Sequence, residues 1–186
     1  MNLMQMPKMI LSFHEGWDDL IRVHPSVAKL FFQLVLPLSL LPAAMIYYAG
    51  INYGEVFVPG VTPDEWRRAA RVFFAAELLT VPFIAWVIHF VVRLNNVEAD
   101  YHDCFTLASI APVPLWLSSL GLLLPSLFAN VAIGMVALAC AFGLIYHGVF
   151  SLFRIGDDTR AGQMAGVICG TGLVAWLLLM QITLVH

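Results

Sequence analysis

The chain has 186 residues, of which 61% are hydrophobic and 11% charged, with a formal net charge of -3. A soluble domain is about a quarter charged, so this composition excludes a water-soluble globule and requires lipid to cover part of the apolar surface. The small negative charge and the lack of a basic block exclude nucleic acid as a partner.

The first 29 residues carry Lys8, Glu15, Asp18, Asp19 and Arg22 and no long apolar core. No cleavable signal peptide is expected, and the first span should serve as an uncleaved anchor. Met9, Ile10, Phe13, Trp17, Leu20 and Ile21 recur at helical spacing with charged residues between them. That pattern predicts an interfacial amphipathic helix over Met9–Arg22. Its polar face is more acidic than basic, so packing on the protein's own loops competes with a place on anionic lipid.

Five apolar runs follow, at roughly 30–48, 72–92, 104–124, 131–150 and 165–185. Each has about the twenty residues a helix needs to cross hydrocarbon. The helix is the expected spanning element because its backbone bonds are satisfied internally. The predicted fold is therefore an all-α integral membrane protein: an N-terminal cytoplasmic segment, 1–29, and a five-helix transmembrane domain, 30–186. With the N-terminus inside, the inner loops hold Lys8, Arg22, Lys29, Arg93, Arg154 and Arg160, and the outer ones Arg67, Arg68 and Arg71. The positive-inside rule favours this sense, with the C-terminus at His186 outside.

Local signals mark the boundaries. Pro25, in His24-Pro25-Ser26, suits a first helical turn. Thr62-Pro63-Asp64-Glu65 is a capping-box pattern that starts the second helix near Pro63. Asp157-Asp158-Thr159 can cap the fifth. Pro125–Asn130 is short enough to make the third and fourth spans an antiparallel hairpin.

Inside the spans, Gly162, Gly166 and Gly170 lie four apart on one face of the fifth helix. Gly134, Ala137, Ala141 and Gly143 offer small residues on the fourth. Such faces let backbones approach closely, so a tight fourth–fifth pair is expected, with self-association as the alternative use. Pro37, Pro42, Pro82, Pro112 and Pro114 remove backbone donors inside spans. They kink the helices and leave room for a cavity near Pro112-Val113-Pro114.

Ionisable residues within spans are the first candidates for a site. Glu77 lies inside the second span and needs a partner, with Arg71 or Arg67 the nearest cations on its own helix. His89 and His147 lie toward the ends of the second and fourth spans. Together with Glu98, His102 and Asp103 they form a set of imidazoles and carboxylates near one membrane face. Such groups hold zinc or manganese, but no tight ligand motif accompanies them. The sequence requires no cofactor and admits a divalent metal. Cys104, Cys140 and Cys169 are far apart and read as small buried hydrophobes. No G-x-S-x-G, H-E-x-x-H or P-loop occurs, and Ser118-Ser119 has no base at a useful spacing. No enzyme is expected.

Several stretches share order and spacing with a known family. They are the Trp17 segment, His24-Pro25-Ser26, Leu36-Pro37-Leu38-Ser39-Leu40-Leu41-Pro42, and Tyr47-Tyr48-Ala49-Gly50. Phe105-Thr106-Leu107-Ala108-Ser109-Ile110-Ala111-Pro112, Tyr146-His147-Gly148 after Gly143, and Ala161-Gly162 complete the set. Across nearly its whole length the chain resembles the bacterial branch of the Yip family, the five-span Ypt/Rab-interacting membrane proteins. The resemblance implies a five-helix fold with a cytoplasmic N-terminus in the bacterial inner membrane. Eukaryotic relatives act in vesicle traffic with Rab GTPases. Their long N-terminal region and their Asp-Leu-Tyr-Gly signature are not found in this sequence, and no catalytic residue carries over. The expected function is a non-enzymatic membrane scaffold or interaction protein, with the bilayer and either a second copy or other membrane proteins as partners. The alternative is a small transporter or channel for an ion, metal or small solute that uses Glu77 and the histidines.

Overall fold

A computed structural model describes residues 16–185. The described residues form helices and no strands, and five helices are long and apolar enough to span a membrane. In chain order they are a short α1 (Trp17–Val23), α2 (Val27–Phe57), α3 (Pro63–Leu94), α4 (Tyr101–Leu123), α5 (Leu127–Leu152) and α6 (Asp158–Val185). The helices overrun the apolar runs because capping residues, not hydropathy, fix their ends. Thr62 and Glu65 close the capping box: the Glu65 carboxylate accepts from the Thr62 N–H at 2.7 Å, and the Thr62 hydroxyl accepts from the Glu65 N–H. Asp157 caps α6 through the Thr159 and Arg160 N–H groups. Pro25 lies just before the first turn of α2 rather than in it, and Ser26 caps the helix by accepting from the Lys29 N–H. The hairpin between the third and fourth spans is present, with α4 and α5 packed side by side across a three-residue turn.

The prolines distort the helices locally. Before Leu36-Pro37 the helix widens into a π turn over Phe31–Val35, where Pro37 lacks the N–H that would continue the ordinary ladder. In α4 the helix breaks after Ile110, resumes at Val113 and tightens into a 3₁₀ turn over Ser119–Leu123. The α2 backbone departs from helical geometry at Tyr53, whose hydroxyl donates to the Leu122 carbonyl of that 3₁₀ turn.

The central helix is α3, which packs on α2, α4 and α6. Its buried face carries Phe73, Glu77, Val81, Ala85, Ile88 and Val92. Its opposite face presents Phe83, Trp86 and Phe90, stacked with ring centroids 6.3 and 6.0 Å apart and each more than half exposed. Exposed rings on a helix long and apolar enough to span a membrane suit contact with lipid.

Two features were not anticipated. The α2–α3 seam closes on glycine: a Cβ placed on Gly50 or Gly54 would sit 2.2 or 2.6 Å from Trp66, so the indole fills a notch that only glycine leaves. The N-terminal segment is docked on the bundle. Trp17 is fully buried, and a Cβ on Gly148 of α5 would meet its ring and Leu107 of α4 at 2.6 and 2.5 Å. The amphipathic periodicity of this stretch thus serves packing over Trp17–Val23, and residues 9–15 of the predicted interfacial helix lie outside the described residues.

Candidate functional site

The end of the bundle where α1, α3 and α5 terminate and α4 begins is the polar end. Each of those three helices stops in the left-handed conformation, at His24 (φ 45), Asn96 (φ 52) and Arg154 (φ 50). A non-glycine residue there is uncommon and marks a tightly determined turn. The three turns enclose a cleft of about 590 Å³ whose polar lining is Arg93, Glu98, Asp100, Asp103, Arg154 and His24. Both signs of charge face one space.

Beside this cleft three candidate ligands meet, of which His24 and Asp103 line it. His102 and Asp103 open α4, and His24 comes from the turn after α1. The His24 and His102 rings stack with centroids 4.2 Å apart and 17° between planes. His102 Nδ1 lies 3.3 Å from Asp103 Oδ1, and His24 Nε2 lies 3.9 Å from the same oxygen. His102 Nε2 donates to the Pro25 carbonyl at 2.7 Å. A carbonyl can only accept, so this bond fixes the tautomer. Among the described residues, His24, His102 and Asp103 are the one set of three or more potential metal ligands whose donor atoms converge, all within 4.8 Å.

The other predicted candidates are dispersed. Glu98 lines the cleft but is not in the converging set. His89 sits on α3 with an edge-on contact to Tyr101 at 6.3 Å. His147 sits on α5 against the ring of Tyr146. His24 entered the sequence reading only as a boundary marker; its approach to His102 spans nearly eighty residues, and no local spacing encodes it.

Glu77 is buried in the middle of the bundle, and its partner is not a cation. Its Oε2 accepts from the indole N–H of Trp116 on α4 at 3.1 Å. Arg67 instead pairs with Asp64 at 2.9 Å and lies over the Tyr47 ring. Arg71 stands six residues before Glu77, which at about 100° per residue places it on a different helix face. Next to Glu77, α3, α4, α5 and α6 enclose a largely apolar cavity of about 390 Å³ that borders Pro112.

Gly166 and Gly170 open onto that same cavity. A Cβ on either, or on Gly134, would meet nothing within 4 Å, and one on Gly162 would just reach Tyr146 at 3.9 Å. Gly143 is half-buried on α5. The α5–α6 pair is in contact, but within one chain these glycines do not make its backbone-to-backbone seam. The interior hydroxyls are used locally. Ser109, Ser118 and Ser119 donate to carbonyls three residues back, at 2.9, 2.7 and 2.6 Å, and Thr106 donates to the His102 carbonyl. Each is thereby held by its own helix. Cys104, Cys140 and Cys169 are free thiols.

A bundle of five spans, with a proline-broken third helix and an N-terminal segment docked through Trp17, matches the Yip1 domain family model over residues 8–179. The chain belongs to the Yip1 domain family. The match extends over nearly the whole length, so the docked α1, the cleft and the Glu77–Trp116 pair all fall inside the Yip1 domain. No curated protein and no solved structure matches the chain. Yip1 family proteins are membrane proteins not known as enzymes, and the multi-pass character follows from the five apolar helices.

Proposed function

We propose that this Yip1 domain protein is a non-enzymatic membrane scaffold that binds other membrane proteins or a second copy of itself through the polar end of its bundle. The observation that carries this reading is the docking of α1. Trp17 is 0% exposed, and its burial holds the His24 turn against α4 and completes a cleft lined by charges of both signs. In the membrane interior, by contrast, Glu77 is held by Trp116, and the Ser118 and Ser119 hydroxyls by their own helices. The chemistry left for recognition is therefore at the cleft.

In this reading the protein lies in a bacterial inner membrane with α1 and the cleft on the cytoplasmic side. The surplus of Lys and Arg on that side supports this sense. Glu77 is assigned a packing role, as a clamp between α3 and α4.

Reconstitution in liposomes tests the proposal against transport. The protein is expected to add no saturable flux of ions or small solutes over protein-free vesicles. Saturable flux that Glu77→Gln or His147→Ala abolishes would overturn the scaffold reading in favour of a transporter.

A further inference from the structure

We propose that His24, His102 and Asp103 form a binding site for a divalent first-row transition metal ion, which fastens the turn after α1 to the start of α4. Two imidazoles and one carboxylate are a ligand set suited to Zn²⁺, with water completing four-coordination.

The hydrogen bond to Pro25 sets the state of the His102 ring. With its Nε2–H donated to that carbonyl at 2.7 Å, a neutral His102 presents a lone pair at Nδ1. That lone pair faces Asp103 Oδ1 at 3.3 Å, so acceptor faces acceptor. Two acceptors at this distance require a positive charge between them, either a proton or a cation. The stacked His24 ring brings a second ring nitrogen toward the same oxygen, at 3.9 Å. A proton joins two atoms, whereas three donor atoms within 4.8 Å of one another suit an ion. The backbone carbonyl behind His102 is also what metal-bound histidines ordinarily carry, since it sets the tautomer and aims the ring. Access is open: His24 is 58% exposed on its side chain and both His24 and Asp103 line the cleft, so an ion can enter from water and keep water ligands.

The inference is independent of the scaffold reading. Metal binding is measured at equilibrium in detergent, and flux in liposomes, so either can fail alone. Tag-free full-length protein, stripped with chelator, is titrated with Zn²⁺ by calorimetry, and bound metal is counted by elemental analysis. One equivalent per chain is expected. His24→Gln, His102→Ala and Asp103→Asn should each weaken binding at least about tenfold, whereas His89→Ala and His147→Ala should bind as wild type. Asp103→Asn preserves size and shape, and its metal-free melting temperature reports whether it is folded. Co²⁺ in place of Zn²⁺ should give the visible bands of nitrogen and oxygen ligation. Absence of stoichiometric binding, affinity unchanged in all three variants, or thiolate bands in the Co²⁺ spectrum would overturn the site. The first two results would leave the His102–Asp103 contact to a proton.

Discussion

Two pairs of glycines in this chain share one spacing and have opposite surroundings. Gly50 and Gly54 on α2 are filled to contact by the Trp66 indole, whereas Gly166 and Gly170 on α6 open onto a cavity. A four-residue repeat of small residues shows where a helix can be approached. What fills the groove depends on where a large side chain is delivered. Trp66 is delivered by the capping box: a short turn after α2, with Thr62 and Glu65 locking the first turn of α3, leaves its first large aromatic residue beside the last turns of α2. Among the described residues no side chain comes within 4 Å of a Cβ placed on Gly166 or Gly170.

The largest expected effect breaks the filled notch. Gly50→Leu or Gly54→Leu must expel Trp66 and should destabilise the protein by about 3 kcal/mol or more, the upper range for overpacking. Denaturation in mixed micelles measures this. Trp66→Ala combined with Gly50→Leu should recover part of the loss, because the two changes share one space. An additive double mutant would mean that Trp66 does not fill the notch.

An intermediate effect is expected at the clamp. Trp116→Phe leaves a buried carboxyl without its donor and should cost about 1–3 kcal/mol. Glu77→Gln keeps an oxygen acceptor for the same indole and should cost less. If Gln at 77 proves as damaging as the loss of the indole, charge rather than hydrogen bonding holds α3 to α4.

The smallest effect sharpens the open side of the comparison. Gly166→Ala and Gly170→Ala meet nothing in a single chain, so the better helix propensity of alanine should leave stability unchanged or raise it by up to about 1 kcal/mol. A loss comparable to that at Gly50 would show that a second copy or a lipid packs against this face in the membrane.

Much of the fold was legible because its signals are local. Hydropathy located the five spans, and Thr62-Glu65 and Asp157 announced caps whose partners lie within four residues. The Ser118 and Ser119 hydroxyls, which donate to carbonyls three residues back, are local in the same way. The candidate site was legible only in part, since its contacts join distant segments. His102 and Asp103 stood out as neighbours, but their third member, His24, is brought in by the docking of Trp17 onto α5. Glu77 needs a partner wherever it is buried, but the sequence displays only the cations on its own helix, whereas the donor is an indole on α4. The glycine ridge of α6 was conspicuous by its regularity, while the working notch at Gly50 and Gly54 held only two glycines. Its meaning lay in the tryptophan across the turn.

The seat of Trp17 also constrains how the protein is made. Gly148 and Leu107, which receive the ring, belong to the fourth and third spans, so α1 leaves the ribosome long before its binding place exists. At about 5–20 residues per second of synthesis, the indole must wait on the order of ten seconds for its seat. The indole of α1 therefore finds its seat only after the fourth span has been made, and the closing of the bundle end becomes a late step in assembly.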